Sequence, residues 1–574
     1  MNKKLHKSLY SKKDKRPNYP TVNKVIQSNI DITDSINLDD VSPKKSSSVK
    51  NKYTLSLPFF VLCACGGGAN NQNMINPLGI TFVSPENTYG SSNSGQEINP
   101  YWLDALIEKQ NQEGGFLNVI NQSQGSFKYS FPQSQPSYLN NPNDIYGWGP
   151  VSNQVKLASS QIFTNLDSLL NISFEEVSNP NSISVIAIMA NEQSDTAGYG
   201  YNPIDIYLPD ANFIFSDVFI AKDYLAPTTS GSVRNFDNEL LIHEIGHAIG
   251  LSHPYENYSG DGTLLSIQEE NNKWTAMSYE MKEQYFNGEF RLFDKAALIH
   301  LYGINPTLNP NNDTYYFMNQ SGTIIMDGAG TDTISVEQWS IHAYIDLREN
   351  AHSYLGTKSS LITDPFQLSV GQSDIENALG GNGNDWIVGN NKNNLLKGGK
   401  GNDVLFGGEG QDILIGGQGV DTIDLTETIF QKDTIICEDD IVYNGLDVIY
   451  NFHQGSLGDS ITINDFFPSR LVETIFTKGE ITQFNISNQI CRVTGFEDLT
   501  SGQLQNELSV GTFSNFEINE NTSSLFISAE NNSQGSDQKM IFAQKNPESL
   551  ILTEIAVFKG EGMDIDHWTL NNFI

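Results

Sequence analysis

Residues 380–424 read GGNGNDWIV, GNNKNNLLK, GGKGNDVLF, GGEGQDILI and GGQGVDTID, five successive frames of nine residues. Each recurring position has a physical purpose. Paired glycines allow tight turns whose carbonyls face inward, and Asp385, Asp403, Asp412 and Asp421 add carboxylates to those carbonyls. Calcium is a hard cation that takes six to eight oxygens, and such a turn offers them. Ile387, Leu405, Leu414 and Ile423 recur two residues after each aspartate, as short strands stacked around a narrow core would require. A flexible glycine-rich linker shares the composition but has no reason to keep aspartate and aliphatic in phase. Residues 389–397 carry Asn394 where the aspartate belongs, so a weaker or absent ion is expected at that level. Upstream, Asp327-Gly328-Ala329-Gly330-Thr331-Asp332 resembles an isolated copy, with Asp332 as an extra calcium ligand.

Before the repeats, residues 243–253 read His-Glu-Ile-Gly-His-Ala-Ile-Gly-Leu-Ser-His, which gathers three of the chain's nine histidines. On a helix, His243 and His247 lie one turn apart on the same face, and Glu244 is rotated to the side where an attacking water would lie. Gly250 can take the positive φ that stops the helix, and the reversed chain brings back His253 as a third nitrogen ligand. Three histidines and an open position describe a catalytic rather than a structural zinc. The short HExxH pattern occurs by chance on ordinary amphipathic helices; the full HExxHxxGxxH, followed by Pro254, is far more restrictive. The methionine turn that belongs with it is supplied by Trp274-Thr275-Ala276-Met277-Ser278-Tyr279. There Met277 would lie beneath the histidines and the Tyr279 phenol beside the metal.

With these motifs the chain resembles the serralysin family of metzincins, calcium-binding metalloendopeptidases with glycine-rich nonapeptide (RTX) repeats. Phe127-Lys128-Tyr129-Ser130-Phe131 looks like the family's opening strand, and 159–177 like its first helix leading into a strand. Residues 293–303 are similar to the helix that closes the catalytic domain, where His300 reads as a packed helix residue. The resemblance implies an α+β metzincin catalytic domain, with a twisted mixed sheet and long helices, followed by an all-β parallel β-roll. It also implies a cleft below an edge strand that pairs with an extended peptide. One catalytic Zn2+ would be held by His243, His247 and His253, and several structural Ca2+ by the repeats. Glu244 would serve as general base, and Tyr279 as a displaceable zinc ligand that helps the tetrahedral intermediate.

The formal net charge of −35, from 68 acidic and 33 basic residues, repels nucleic acid and calls for counter-ions. Calcium is scarce in the cytosol, so the repeats would stay loose until export and close afterwards. The expected state is therefore an extracellular monomer acting on proteins or peptides. Two export signals compete. Leu62-Cys63-Ala64-Cys65-Gly66-Gly67-Gly68 looks like a lipoprotein acylation site with the lipid on Cys65, after an apolar run too short to span a bilayer. The resemblance instead implies a type I secretion transporter reading a C-terminal signal, for which 564–574 has the acidic and apolar mix. Cys437 and Cys491 suit either a disulfide or two buried thiols.

The expected organisation is a basic segment at 1–52, an apolar segment at 53–65 and a linker or propeptide at 66–125. A zinc peptidase at 126–305, a β-rich region with the roll at 306–424 and a second β-rich region at 425–574 follow. Two other classes compete with a zinc endopeptidase. A calcium-dependent adhesive protein with an inactive peptidase module predicts a damaged zinc constellation, and the motif is intact. A different hydrolase using the repeats for export would need a GxSxG elbow, which is absent from the sequence.

Overall fold

The computed structural model describes residues 99–107, 126–139, 141–180, 185–193, 196–201, 216–222, 235–256, 263–282, 285, 288–437, 446–453 and 458–462. It adds backbone strands at 74–75 and 81–82 and from 472 to 559. Cys65 and 564–574 lie outside the described residues. Met1–Ile98 with Ser194–Ala197 form one compact unit, in which Met74–Ile75 pairs antiparallel with Thr81–Phe82. Asn99–Gln193 with Gly198–Ile574 form the other, which holds both motifs.

The first half of that unit is a five-stranded sheet packed on helices. Its strands are β1 (Ser126–Ser130), β2 (Ser173–Glu176), β3 (Val185–Asn191), β4 (Gly198–Gly200) and β5 (Val218–Ala221), in the order β2-β1-β3-β5-β4. All neighbours are parallel except β4, which runs antiparallel to β5 at the edge. β3 and β5 are buried along their whole length, as a parallel sheet covered on both faces requires. Helix α1 (Asn153–Leu169) starts six residues earlier than the apolar pattern from Ser159 suggests, because the Ser152 hydroxyl accepts from Val155 N and caps it. Helix α2 (Asn235–Ala248) carries the histidine run, and α3 (Leu292–Tyr302) ends at Gly303.

Folded structure begins before the expected boundary at 126. Trp102, Leu103, Leu106 and Ile107 are fully buried, and Leu106 O accepts from Ser252 N at 2.8 Å beside the histidine run. Part of the stretch read as linker or propeptide is thus built into this unit, where its apolar residues find partners.

The roll consists of parallel strands that alternate between two sheets. Trp386–Val388, Val404–Phe406, Thr422–Asp424 and Asp447–Tyr450 stack in one; Leu395–Lys400, Ile413–Gln418, Thr434–Ile436 and Ser460–Thr462 stack in the other. Nine residues therefore make half a coil. Ile387, Leu405, Leu414 and Ile423 fill the space between the sheets, joined by Leu396, Ile435, Ile449 and Ile461. Stacking continues past 424, where the sequence repeat ends, and one sheet runs on to Ser549–Lys559. Cys437 is a buried free thiol in this core.

Candidate functional site

Helix α2 ends as the glycine spacing suggests. Gly250 has φ 103°, Leu251 N donates to Gly246 O (2.9 Å) and Gly250 N to His247 O (3.0 Å), the paired bonds of a Schellman stop. The chain turns back and delivers His253 to the two helical histidines. His253 Nε2 lies 3.2 Å from His243 Nε2 and 3.1 Å from His247 Nε2. Each Nδ1 has a partner that fixes the ring: Ala276 O for His243 (2.9 Å), Leu251 O for His247 (2.9 Å) and Glu256 Oε2 for His253 (3.1 Å). With Nδ1–H donating outward, three Nε2 lone pairs converge on one point, and a tetrahedral divalent ion fits that donor set. Burial pushes His243 down to about 3 and His247 well below its ordinary value, with the neighbouring imidazoles adding to the effect. Three neutral imidazoles are the form that binds metal.

Glu244 is buried beside them, and burial pushes its carboxyl up to about 8 against a hydrogen bond from the Gly200 backbone. A cation held by the histidines would oppose that effect and favour the ionised carboxylate. The edge strand β4 lies directly on this residue: a Cβ at Gly200 would stand 2.3 Å from Glu244 O and 3.2 Å from His247 Cβ. No further strand pairs with the outer side of β4 among the described residues.

Met277 is fully buried below the site, with Sδ only 2.6 Å from where a Cβ on Gly246 would be. Asp294, at the start of α3, holds the methionine turn by accepting from Thr275 Oγ1 (2.6 Å) and Ala276 N (2.7 Å). The Tyr279 ring stacks on His243 at 5.4 Å between centroids and lies 4.8 Å from His253. His243, Glu244, His247, His253 and Tyr279 are thus brought together. Asp294, Glu256 and Gly246 were not singled out in the sequence, since nothing marks a lone acid or glycine as a partner of a distant turn.

A second cluster lies under β4. Tyr199 and Tyr201 both donate to Asp144 Oδ1 at 2.9 Å, and Tyr138 donates to Asp217 Oδ1 at 3.0 Å. The alternation Tyr199-Gly200-Tyr201 was its only local signal, with tyrosines on one face of the strand and Gly198 and Gly200 facing Glu244 on the other.

In the roll, the aspartates form two ladders. Asp385 N donates to Asp403 Oδ1 (2.7 Å), Asp403 N to Asp421 Oδ1 (2.8 Å) and Asp421 N to Asp447 Oδ1 (2.9 Å). In the other, Asn394 N donates to Asp412 Oδ1 (2.8 Å), Asp412 N to Asp433 Oδ1 (2.9 Å) and Asp433 N to Asp459 Oδ1 (2.9 Å). The Oδ2 atoms of Asp403, Asp412 and Asp421 are buried without a hydrogen-bond partner. Burial pushes Asp403 and Asp433 up to about 8, and Asp412 and Asp421 to about 7. Stacked carboxylates with an oxygen to spare fit a calcium ion between turns. At the odd level Asn394 is satisfied internally: Nδ2 donates to Glu376 O (2.9 Å), and Oδ1 accepts from Asn390 N (2.8 Å). Asp332 meets Asp313 and Asp327, with ligand oxygens within 4.8 Å of one another, and its Oδ2 is also buried without a partner.

Comparison with known proteins agrees with this geometry. The family model for the RTX calcium-binding nonapeptide repeat (4 copies) matches residues 370–391, 379–414 and 388–423. The chain is 28% identical over 291 residues to Metallopeptidase AprA of Pseudomonas marginalis, covering 45% of this chain and 59% of that protein. It is 34% identical over 189 residues to Serralysin B of Dickeya chrysanthemi, covering 27% and 38%, and 27% identical over 299 residues to Serralysin of Proteus mirabilis, covering 47% and 56%. The matches thus span between 38% and 59% of these relatives' own lengths. The resemblance to serralysin-type metalloproteases with RTX repeats stands on these findings.

Proposed function

We propose that this chain is a zinc-dependent endopeptidase that works outside the cell, with its roll held closed by calcium. The observation that carries the reading is the convergence of His243, His247 and His253 through Nε2, each ring pinned at Nδ1, next to a buried Glu244. An extended protein segment adds to β4 as a further antiparallel strand, which lays its scissile carbonyl across the histidines and Glu244. His243, His247 and His253 would hold a zinc ion through Nε2, and that ion would supply Lewis acidity and a water of pKa near ~7. Glu244 takes the proton of the attacking water and returns it to the leaving amine. Tyr279 turns from its stacked position to donate to the oxyanion. Function beyond the cytoplasmic membrane, by whichever export route, follows from the ladders' need for calcium.

The test is Glu244→Gln. The variant should bind one zinc per chain, as the wild type does, while hydrolysis of a denatured protein substrate falls about 100- to 10,000-fold. Proteolysis at the wild-type rate would overturn the assignment.

A further inference from the structure

The three histidines are not held alike. His243 and His247 sit on a helix and donate to backbone carbonyls, whereas His253 lies on the chain beyond the helix and its Nδ1 partner is a side chain, Glu256, which is one-third exposed. What fixes the plane of the third imidazole is therefore local. The Tyr255 ring lies almost parallel to it, with centroids 5.0 Å apart and planes at 13°. The same ring packs at 5.3 Å and 48° against Tyr279, which itself lies 4.8 Å from His253. His253 is thus enclosed by two tyrosines and a carboxylate, and two of these three side chains, Tyr255 and Glu256, lie two and three residues further along the chain.

We infer that Tyr255 is a positioning residue: its ring sets the orientation of the third zinc ligand and forms the wall against which Tyr279 rests. The inference deepens the zinc reading and depends on it. Offset stacking of this kind contributes through ring shape and area, so the phenol oxygen is dispensable and the ring is not. A ligand free to rock releases the metal faster, and groups that orient ligands are commonly worth ten- to a hundredfold in metal affinity. Glu256 accepts from Nδ1 and holds the ring by its edge, while Tyr255 supports its face.

The experiment measures zinc affinity of the full-length, calcium-loaded protein by competition with a chromogenic chelator, for wild type, Tyr255→Phe and Tyr255→Leu. Thermal unfolding of the zinc-free forms runs in parallel as a check on the fold. The phenylalanine variant should stay within about twofold of wild type and the leucine variant weaken about tenfold or more, with zinc-free unfolding midpoints unchanged. At saturating zinc, adding Tyr279→Phe should reduce kcat less in the leucine background than in wild type, because the wall that positions Tyr279 is already gone. Equal zinc affinity in all three proteins, or equal loss in both variants, overturns the inference. Should the leucine variant not fold, Tyr255→Met keeps the bulk without the ring and carries the same expectation. A wild-type protein that takes up no zinc would sink the zinc reading itself, a different outcome from zinc bound equally well by every variant.

Discussion

Gly246 stands between the two helical histidines because Met277 fills the space where its side chain would be, with Sδ at 2.6 Å from the Cβ position and Phe290 at 3.4 Å. Alanine favours a helix by ~1 kcal/mol over glycine, yet overpacking a closed core costs about 1–3 kcal/mol. Gly246→Ala is thus expected to lower the thermal midpoint and weaken zinc retention together; a variant more stable than wild type would show that the methionine turn yields freely. Asp217 offers a second test at this scale. Its Oδ1 accepts from Tyr138 (3.0 Å) and Ala187 N (3.3 Å), and burial pushes it up to about 7, with the Asp144 charge adding a little. A carboxyl raised in the folded state contributes stability below its unfolded pKa of ~3.9 that is lost as pH rises through the folded value. Between pH about 4 and 7 the wild type should therefore lose stability more steeply than Asp217→Asn, whose amide oxygen accepts both bonds without charge. Parallel denaturation midpoints across that range, with zinc and calcium saturating, would refute the account.

The roll behaves as one element because each coil's aspartate amide is bonded to the carboxylate of the next. The bonds that cross coils within the repeat are 18 residues apart; past it they are 21 and 26 apart. A search for period nine stops at 424, yet the ladders run on through Asp433, Asp447 and Asp459 because the strands keep their stacking register across the longer separations. Asp403→Asn separates the two duties of a ladder residue: the amide Oδ1 still accepts from Asp385 N, but the charge offered to calcium is lost. The variant should need roughly tenfold more calcium to reach the wild-type β signal in circular dichroism, since ligand charge tunes such sites over decades. An unchanged calcium midpoint would mean that the buried Oδ2 atoms do not face an ion.

At the scale of the molecule, three segments distant in sequence meet at the buried Glu269. Tyr101 Oη donates to its Oε1 at 2.7 Å, Thr363 Oγ1 donates to the same oxygen at 2.7 Å, and Tyr101 Oη accepts from Ile362 N at 3.0 Å. The short helix Tyr101–Asp104, the loop leading to Met277 and the loop at 357–366 are joined there. Tyr101→Phe should cost about 1–3 kcal/mol and speed amide exchange in both 263–282 and 357–366. Faster exchange in one loop alone would show that they are not coupled. None of this was legible in advance, because a tyrosine and a threonine that lie 168 and 94 residues from the glutamate carry no pattern. The histidine run and the nonapeptide frames were legible because their geometry is local: one helical turn places His243 over His247, Gly250 reverses the chain, and nine residues close half a coil. The chain order alone thus determined which atoms could meet a metal and that a parallel roll would follow. The sequence motif placed Met277 below the histidines, but only the tertiary structure decided what holds them in place: Gly246 leaving room for the Met277 sulfur, Asp294 under the methionine turn, β4 across Glu244, and ladders that outlast their repeat. Those contacts depend on packing between segments remote in sequence, and no spacing along the chain encodes them.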